Sequence, residues 1–253
     1  MRIMIKLNSP TPQLLQYNYN QYLNGFLYNM IRKSNVEIST KLHNEGYYAE
    51  GKPIKPLVFS RLFFDIRKAT RKGLIVTGEG RWYVSSHYEE LLLPFVSSTA
   101  QQYTITLGNI SFPIQEIQIM QKPEFTEHMN FTMLSPTVAP KRIHEQNNRL
   151  KFCHPMENEF YDILRNNILR KYSLIYGTHY SGDRMINFSA TYPEKMDMKK
   201  AACLIRYKEQ SIKCYMFPIT ITGDPKLIEL CYELGIGSYN IQGFGMLEHV
   251  ERR

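Results

Sequence analysis

The chain has no apolar run near the roughly 20 residues that span a bilayer, so no transmembrane helix and no membrane partner are expected. It lacks a CxxC pair, an HExxH helix and an acidic DxD-type cluster. Those absences argue against a zinc site, a metalloprotease and a carboxylate-held metal, so no metal and no cofactor are expected. Its four cysteines, Cys153, Cys203, Cys214 and Cys231, are widely spaced, which argues against a disulfide framework and for buried reduced thiols. The opening residues MRIMIKLNSP alternate like a strand and have no signal-peptide core, so a cytoplasmic location is expected.

What is present points to nucleic acid. The 253 residues carry 31 Lys and Arg against 23 Asp and Glu, a net charge of +8, with 18 tyrosines and 13 phenylalanines. Cations meet phosphates while aromatic rings stack on bases. A hydrophobic content of 43% is enough for one large domain or two smaller ones.

Periodicity predicts a strand over Arg2–Leu7 and a helix over Tyr17–Lys33 with Leu23, Phe26, Leu27, Met30 and Ile31 as its apolar stripe. A short helix over Val36–Asn44 follows, stopped by Gly46, then strands over Leu57–Phe63, Gly73–Val76 and Arg81–Ser85, the last two joined by a Thr-Gly-Glu-Gly turn. A helical stretch over His87–Val96 precedes strands over Tyr103–Leu107 and Ile114–Met120. The second half repeats the order: a strand over Phe131–Leu134, a loop over Ser135–Arg142 and a helix over Met156–Tyr172. Strands over Ile186–Thr191, Cys203–Lys208 and Lys213–Ile221, a helix to Leu234 begun by Asp224-Pro225, and a last strand over Met246–Val250 complete it. Each half reads β-α-β-β-α-β. The expected fold is therefore α+β: two tandem ferredoxin-like, RNA-recognition-type modules packed side by side, residues 1–125 and 126–253.

Four glycines, Gly235, Gly237, Gly243 and Gly245, punctuate GIGSYNIQGFGML near the C-terminus. A dinucleotide fingerprint needs a third glycine where Asn240 stands and runs from strand to helix, whereas this stretch runs from helix to strand. No Gly-Lys-Ser/Thr follows, so it is not a P-loop. A plain helix-to-strand connection and a nucleic-acid backbone contact both remain open for it.

Without a metal motif, catalysis has to rest on general acid–base groups. Tyr28 lies on nearly the opposite side of its helix from the apolar stripe, close to Asn24, and is available for chemistry or stacking. His43 falls in the last turn of the second helix, where the partial negative charge of the helix end favours a cation and suits a general acid. Lys55, just before a predicted strand, and Lys52, just upstream, could each neutralise phosphate.

The segments LYNMI around Tyr28, LHNEGY around His43, KPLVFS from Lys55, TMLSPTVAP near residue 135 and GIGSYNIQGFGML together resemble the CRISPR-associated repeat-specific endoribonuclease family. The resemblance runs in order along essentially the whole chain. It implies metal-independent cutting of precursor CRISPR RNA by the RNA's own 2′-hydroxyl, leaving 2′,3′-cyclic phosphate and 5′-hydroxyl ends. It implies Tyr28, His43 and Lys55 as catalytic residues, with Lys52 the rival lysine. RNA contacts are expected from Lys52, Lys141, Arg142, Gly237, Ser238, Gly243 and Gly245. The implied partner is CRISPR repeat RNA, and a CRISPR effector complex and a homodimer are further candidate partners. The alternative is a non-catalytic repeat-RNA-binding subunit of a CRISPR ribonucleoprotein, sharing the fold and differing only at the three catalytic positions.

Overall fold

Ile3, Ile5 and Leu7 point to one face of the first strand and are fully buried. They meet Leu23, Leu27, Met30 and Ile31, one stripe of the first helix, together with Trp82, Val84 and Phe112. The computed structural model describes residues 1–96, 103–143, 149–190 and 198–250. In chain order the first half comprises β1 (Arg2–Leu15), α1 (Asn20–Ser34), α2 (Val36–Asn44), β2 (Tyr47–Ala49), β3 (Lys52–Ile54), β4 (Val58–Phe59), β5 (Phe63–Ala69), β6 (Leu74–Ser85), α3 (Leu93–Val96), β7 (Thr104–Leu107) and β8 (Ile110–Ile119). The second comprises β9 (His128–Met133), β10 (Pro140–Ile143), β11 (Arg149–Phe152), α4 (Asn158–Tyr176), β12 (Asn187–Ala190), α5 (Met198–Ala201), β13 (Ala202–Tyr207), β14 (Gln210–Tyr215), β15 (Ile219–Thr222), α6 (Pro225–Leu234) and β16 (Leu247–His249).

The first sheet runs β4-β6-β1-β8-β7, with β5 also on β6, and the second runs β12-β15-β9-β16. In both, the first strand of the module sits between an inner strand (β6 or β15) and the module's last strand (β8 or β16), all antiparallel. That is the ferredoxin-like arrangement, present twice. A second core gathers Phe131, Met133, Phe160, Leu164, Ile168, Ile219, Ile221, Leu227 and Ile228. Local chemistry sets the helix ends. Asn35 gives its N–H to Ile31 O to close α1 and accepts from the Ile38 N–H to open α2. Asp224 caps α6 through the Lys226 N–H, ahead of Pro225.

Several expected elements differ in form. The Thr-Gly-Glu-Gly stretch does not reverse the chain. β1 is 14 residues long and pairs along all of β6, so Gly78 (φ 82°) is absorbed as an irregularity opposite Ser9. The strand expected over Leu57–Phe63 breaks into β4 and β5, because Arg61 turns its N–H to Leu134 O in the second module. Lys213–Ile221 breaks too. Pro218 has no N–H, and β14 joins β13 in a separate hairpin while β15 enters the second sheet. The expected loop 135–142 ends in β10, paired with β11, and the helical stretch after His87 shrinks to a 3₁₀ turn, Glu89–Leu91, plus α3. Thr191, the expected end of β12, lies outside the described residues.

Buried charge joins the modules. The Arg2 guanidinium, buried on β1, donates to Leu247 O (2.9 Å), Tyr232 O (2.6 Å) and Glu248 Oε2 (3.0 Å), and lies 3.4 Å over the Tyr232 ring. Glu233 on α6, also buried, meets His87 Nδ1 (2.6 Å) and Lys122 Nζ (2.5 Å). Burial pulls its pKa up, but the hydrogen bonds from His87 and Lys122 outweigh this and hold the carboxyl at about 2. Removing one partner from such a pair costs about 3 to 5 kcal/mol, so this seam is hard to open.

Candidate active site

Tyr28, His43 and Lys55 come from three segments and meet in one cleft. α1 presents Tyr28, the last turn of α2 presents His43, and Lys55 precedes β4. The Lys55 ammonium donates to the His43 carbonyl (2.5 Å) and lies 3.5 Å from Tyr28 Oη. The Tyr28 and His43 rings meet edge to face, centroids 5.2 Å apart. Gly46 makes this approach available. Its φ of 75° lets the chain leave α2 sharply, and a Cβ there would sit 2.9 Å from Ile54 O and 3.3 Å from Lys55 Cγ.

Burial shapes the chemistry of two of the three. Tyr28 is half-buried, and burial, with the Tyr207 phenol beside it, pushes its pKa above the ordinary range, so the hydroxyl stays protonated. Burial pulls the pKa of Lys55 down. His43 is exposed, with Nδ1 2.9 Å from Asn44 Oδ1, leaving Nε2 available to a ligand.

The cleft holds about 620 Å³ and lies between the modules. α1, α2 and Lys55 form one wall; Tyr207 and Lys208, at the β13–β14 turn, and Ile241–Gln242 form the other. Arg32, Lys55 and Lys208 line it, and none of the described residues that line it is Asp or Glu. A cavity with three cations, a histidine and no carboxylate fits a phosphodiester and offers no ligand set for a hard divalent cation. Among the described residues, one His/Cys/Asp/Glu group of metal-site dimensions exists, Cys153, Glu157 and Glu159, and its two carboxylates are ion-paired with Lys151 and Lys141.

The other expected contacts are placed elsewhere. Lys52 is exposed on β3, outside the cleft lining. Lys141 pairs with Glu159, and Arg142 is exposed beside it on β10; neither lines the cleft. In the glycine loop Gly237, Gly243 and Gly245 are buried, and Ser238 is half-exposed. The amides of Ile236, Ser238, Gly243 and Gly245 go to Gly245 O, Val138 O, Asn240 O and Pro136 O. At the three glycines expected to contact RNA, the amides of Gly243 and Gly245 are bonded inside the protein and all three residues are buried.

Close packing explains these glycines. A Cβ on Gly245 would fall 1.9 Å from Ile236 O, and one on Gly237 2.5 Å from Val138 O. Pro136 and Val138 belong to TMLSPTVAP, so the two segments that stand out in sequence are each other's packing partners. Lys171, buried on α4, gives its three N–H bonds to Leu234 O, Gly235 O and Asn240 Oδ1, and Asn240 ties Ile236 O to Phe244 O. Asn20 and Asn24 donate to Gln242 O and Ile241 O, so the polar side of α1 is docked on this loop.

Sequence reasoning passed over Arg32, Tyr207 and Lys208. Arg32 was within reach, four residues after Tyr28 on the same helix face. Tyr207 and Lys208 enter only through the packing of one module on the other, which no local spacing encodes.

Comparison with known proteins settles the ancestry of this arrangement. The family model described as CRISPR associated protein Cas6, C-terminal, matches residues 120–249, and that for CRISPR-associated protein Cas6, N-terminal, matches residues 14–118. The chain belongs to the Cas6 family. It is 27% identical to CRISPR-associated endoribonuclease Cas6 1 of Methanocaldococcus jannaschii, over 99% of this chain and 93% of that protein. It is 26% identical to CRISPR-associated endoribonuclease Cas6 of Pyrococcus furiosus, over 98% and 89%. A solved structure of a CRISPR associated protein Cas6 superposes with a TM-score of 0.80 at 26% identity, covering 99% of each chain. Among the described residues, no helix is long and apolar enough to cross a membrane.

Proposed function

We propose that this Cas6 chain is a metal-independent endoribonuclease that cuts precursor CRISPR RNA within its repeats. The observation that carries the reading is the meeting of Tyr28, His43 and Lys55 in a cationic cleft without carboxylates. Each group has a role that its surroundings support. The 2′-oxygen of the nucleotide before the cut attacks the adjacent phosphorus, and the bond from phosphorus to the 5′-oxygen breaks. His43 donates a proton from Nε2 to the departing 5′-oxygen, with Nδ1 held by Asn44. Lys55 stabilises the extra negative charge on the phosphoryl oxygens as the five-coordinate transition state forms. Tyr28, held as a neutral phenol by burial, positions the 2′-hydroxyl by hydrogen bonding, and the 2′-proton passes to solvent water as the new oxygen–phosphorus bond forms. The products are a 2′,3′-cyclic phosphate and a 5′-hydroxyl.

Lys55 is favoured over Lys52 as the catalytic lysine because its ammonium reaches Tyr28 and the His43 carbonyl, whereas Lys52 stands outside the cleft.

The test is to incubate the protein with repeat RNA from the neighbouring array in EDTA and map the product ends. Cleavage is expected to persist in EDTA and to vanish when one 2′-deoxy nucleotide stands before the cut. Loss of cleavage in EDTA would overturn the mechanism. Tight binding without cutting would leave the chain as a repeat-RNA-binding subunit.

A further inference from the structure

The β5–β6 hairpin carries Arg67, Lys68, Arg71 and Lys72 within six residues, and no carboxylate occurs between Asp65 and Glu79. All four side chains are exposed, and none forms an ion pair among the described residues; Asp65 is taken by Arg81. Four like charges in an exposed turn repel one another, yet this turn is ordered rather than loose. The Thr70 N–H bonds to Gly73 O (2.8 Å), the Gly73 N–H to Thr70 Oγ1 (3.2 Å), and Tyr17 Oη to Thr70 O (2.7 Å). The hydrogen-bonded turn fixes the backbone from which the four side chains project, which lowers the entropy cost of gripping a partner.

The hairpin is connected to the cleft. Lys208 lines the cleft, and its carbonyl accepts from Arg206 Nε (3.2 Å). The Arg206 N–H bonds to Asn18 Oδ1 (3.1 Å), next to Tyr17, which holds Thr70. Arg67 also stands close enough to the Tyr19 hydroxyl to act on it electrostatically. Lys208, Arg206, Arg67, Lys68, Arg71 and Lys72 therefore follow one another from the cleft to the hairpin tip.

We propose that this row of cations is a second RNA-binding site, a track for the phosphodiester backbone of the single-stranded RNA that flanks the cut. The inference rests on the cleft holding the scissile phosphate, and it adds where the adjoining RNA runs. Contacts of this kind follow the backbone and read no base, so the track supplies affinity and direction, and the cleft supplies chemistry.

The experiment replaces the four tip cations together, Arg67→Gln, Lys68→Gln, Arg71→Gln and Lys72→Gln, and measures binding to a repeat-containing single-stranded RNA across a salt series. Losing four phosphate contacts is expected to reduce the slope of log affinity against log salt by about 3 and to weaken binding roughly tenfold or more at moderate salt. The single-turnover cleavage rate at saturating protein should be unchanged. Trimming the RNA to the nucleotides around the cut should abolish the difference between variant and wild type. A charge-keeping variant, Arg67→Lys with Arg71→Lys, should bind like wild type, which separates charge from folding. Equal affinity and equal slope on untrimmed RNA would overturn the track, as would a charge-keeping variant as weak as the neutral one. A wild-type protein that binds with the expected slope but does not cut would instead remove the proposed chemistry and leave the track standing.

Discussion

The two modules meet along a seam with a closed stretch and an open one. In the closed stretch the Arg2 and Glu233 side chains are buried and paired, and the glycine loop is packed against Pro136, Val138 and Lys171 so tightly that a methyl group has no room. In the open stretch the modules stand apart around the cleft, where His43 and Lys208 are exposed and Lys55 is only half-buried. The two stretches touch at Ile241 and Gln242, which are held by Asn24 and Asn20 and also line the cleft. The closed stretch thus sets the distance across the open one. A fixed gap lets Tyr207 and Lys208 of one module face Tyr28 and Lys55 of the other, as a site that works by positioning requires.

The sharpest way to break this division is to remove the acid. His43→Ala is expected to lower the single-turnover cleavage rate by about 10²- to 10⁴-fold, with melting temperature and RNA affinity near wild type. An exposed side chain bonded only to Asn44 contributes little to folding. A large fall in melting temperature would show that His43 holds the fold, and unchanged cleavage would show that it only ends a helix.

The converse change is Gly245→Ala. The added methyl would meet a backbone oxygen at 1.9 Å in a residue with φ of 79°, so overpacking and backbone strain act together. Denaturant unfolding should show a loss of about 3 to 5 kcal/mol, with cleavage per folded molecule falling less than in His43→Ala. A variant as stable as wild type would mean that the loop shifts freely, and the closed stretch could not then set the gap.

These two positions also show what the sequence made legible. Helix faces, caps and the β-α-β-β-α-β order are local, so both modules could be read from spacing. Tyr28 and His43 stood out by their places on their helices, and only the family resemblance joined Lys55 to them as a proposed catalytic set. The glycine loop was conspicuous for the right reason, a backbone that needs positive φ and close approach, but glycine density does not say what approaches. Here Val138 O, Phe59 and Ile236 O approach. Asn20 and Asn24 are covered by a loop more than 200 residues away, a contact that helix spacing does not encode. Tyr207 and Lys208 were hidden for the same reason: they belong to the site through the seam alone.

Acid should loosen the closed stretch in a defined window. With a folded pKa of about 2 against an ordinary 4.5, Glu233 contributes stability that is fully present above pH 4.5 and is lost as pH falls through 2. A shift of that size corresponds to about 3 kcal/mol. Glu233→Gln should therefore be less stable than wild type at pH 7 by roughly that amount, and the two stability curves should converge as pH approaches 2. Parallel curves would place the acid sensitivity elsewhere.

The smallest effect expected is the most informative about the open stretch. Tyr28→Phe removes one hydroxyl and keeps the ring that meets His43, so loss of a positioning hydrogen bond should cost about tenfold in the single-turnover rate. The pH profile decides what that hydroxyl does. Burial and Tyr207 hold Tyr28 as a neutral phenol, so its ionisation should leave no mark on the rate below about pH 10, and the variant should give a profile of the same shape, lowered throughout. If the wild-type rate instead rises with pH along a limb that the phenylalanine variant lacks, Tyr28 works as an ionised base. The cleft would then have to lower its pKa when RNA binds. A profile of unchanged shape would confine Tyr28 to positioning and leave His43 and Lys55 as the only charge-bearing members of the three.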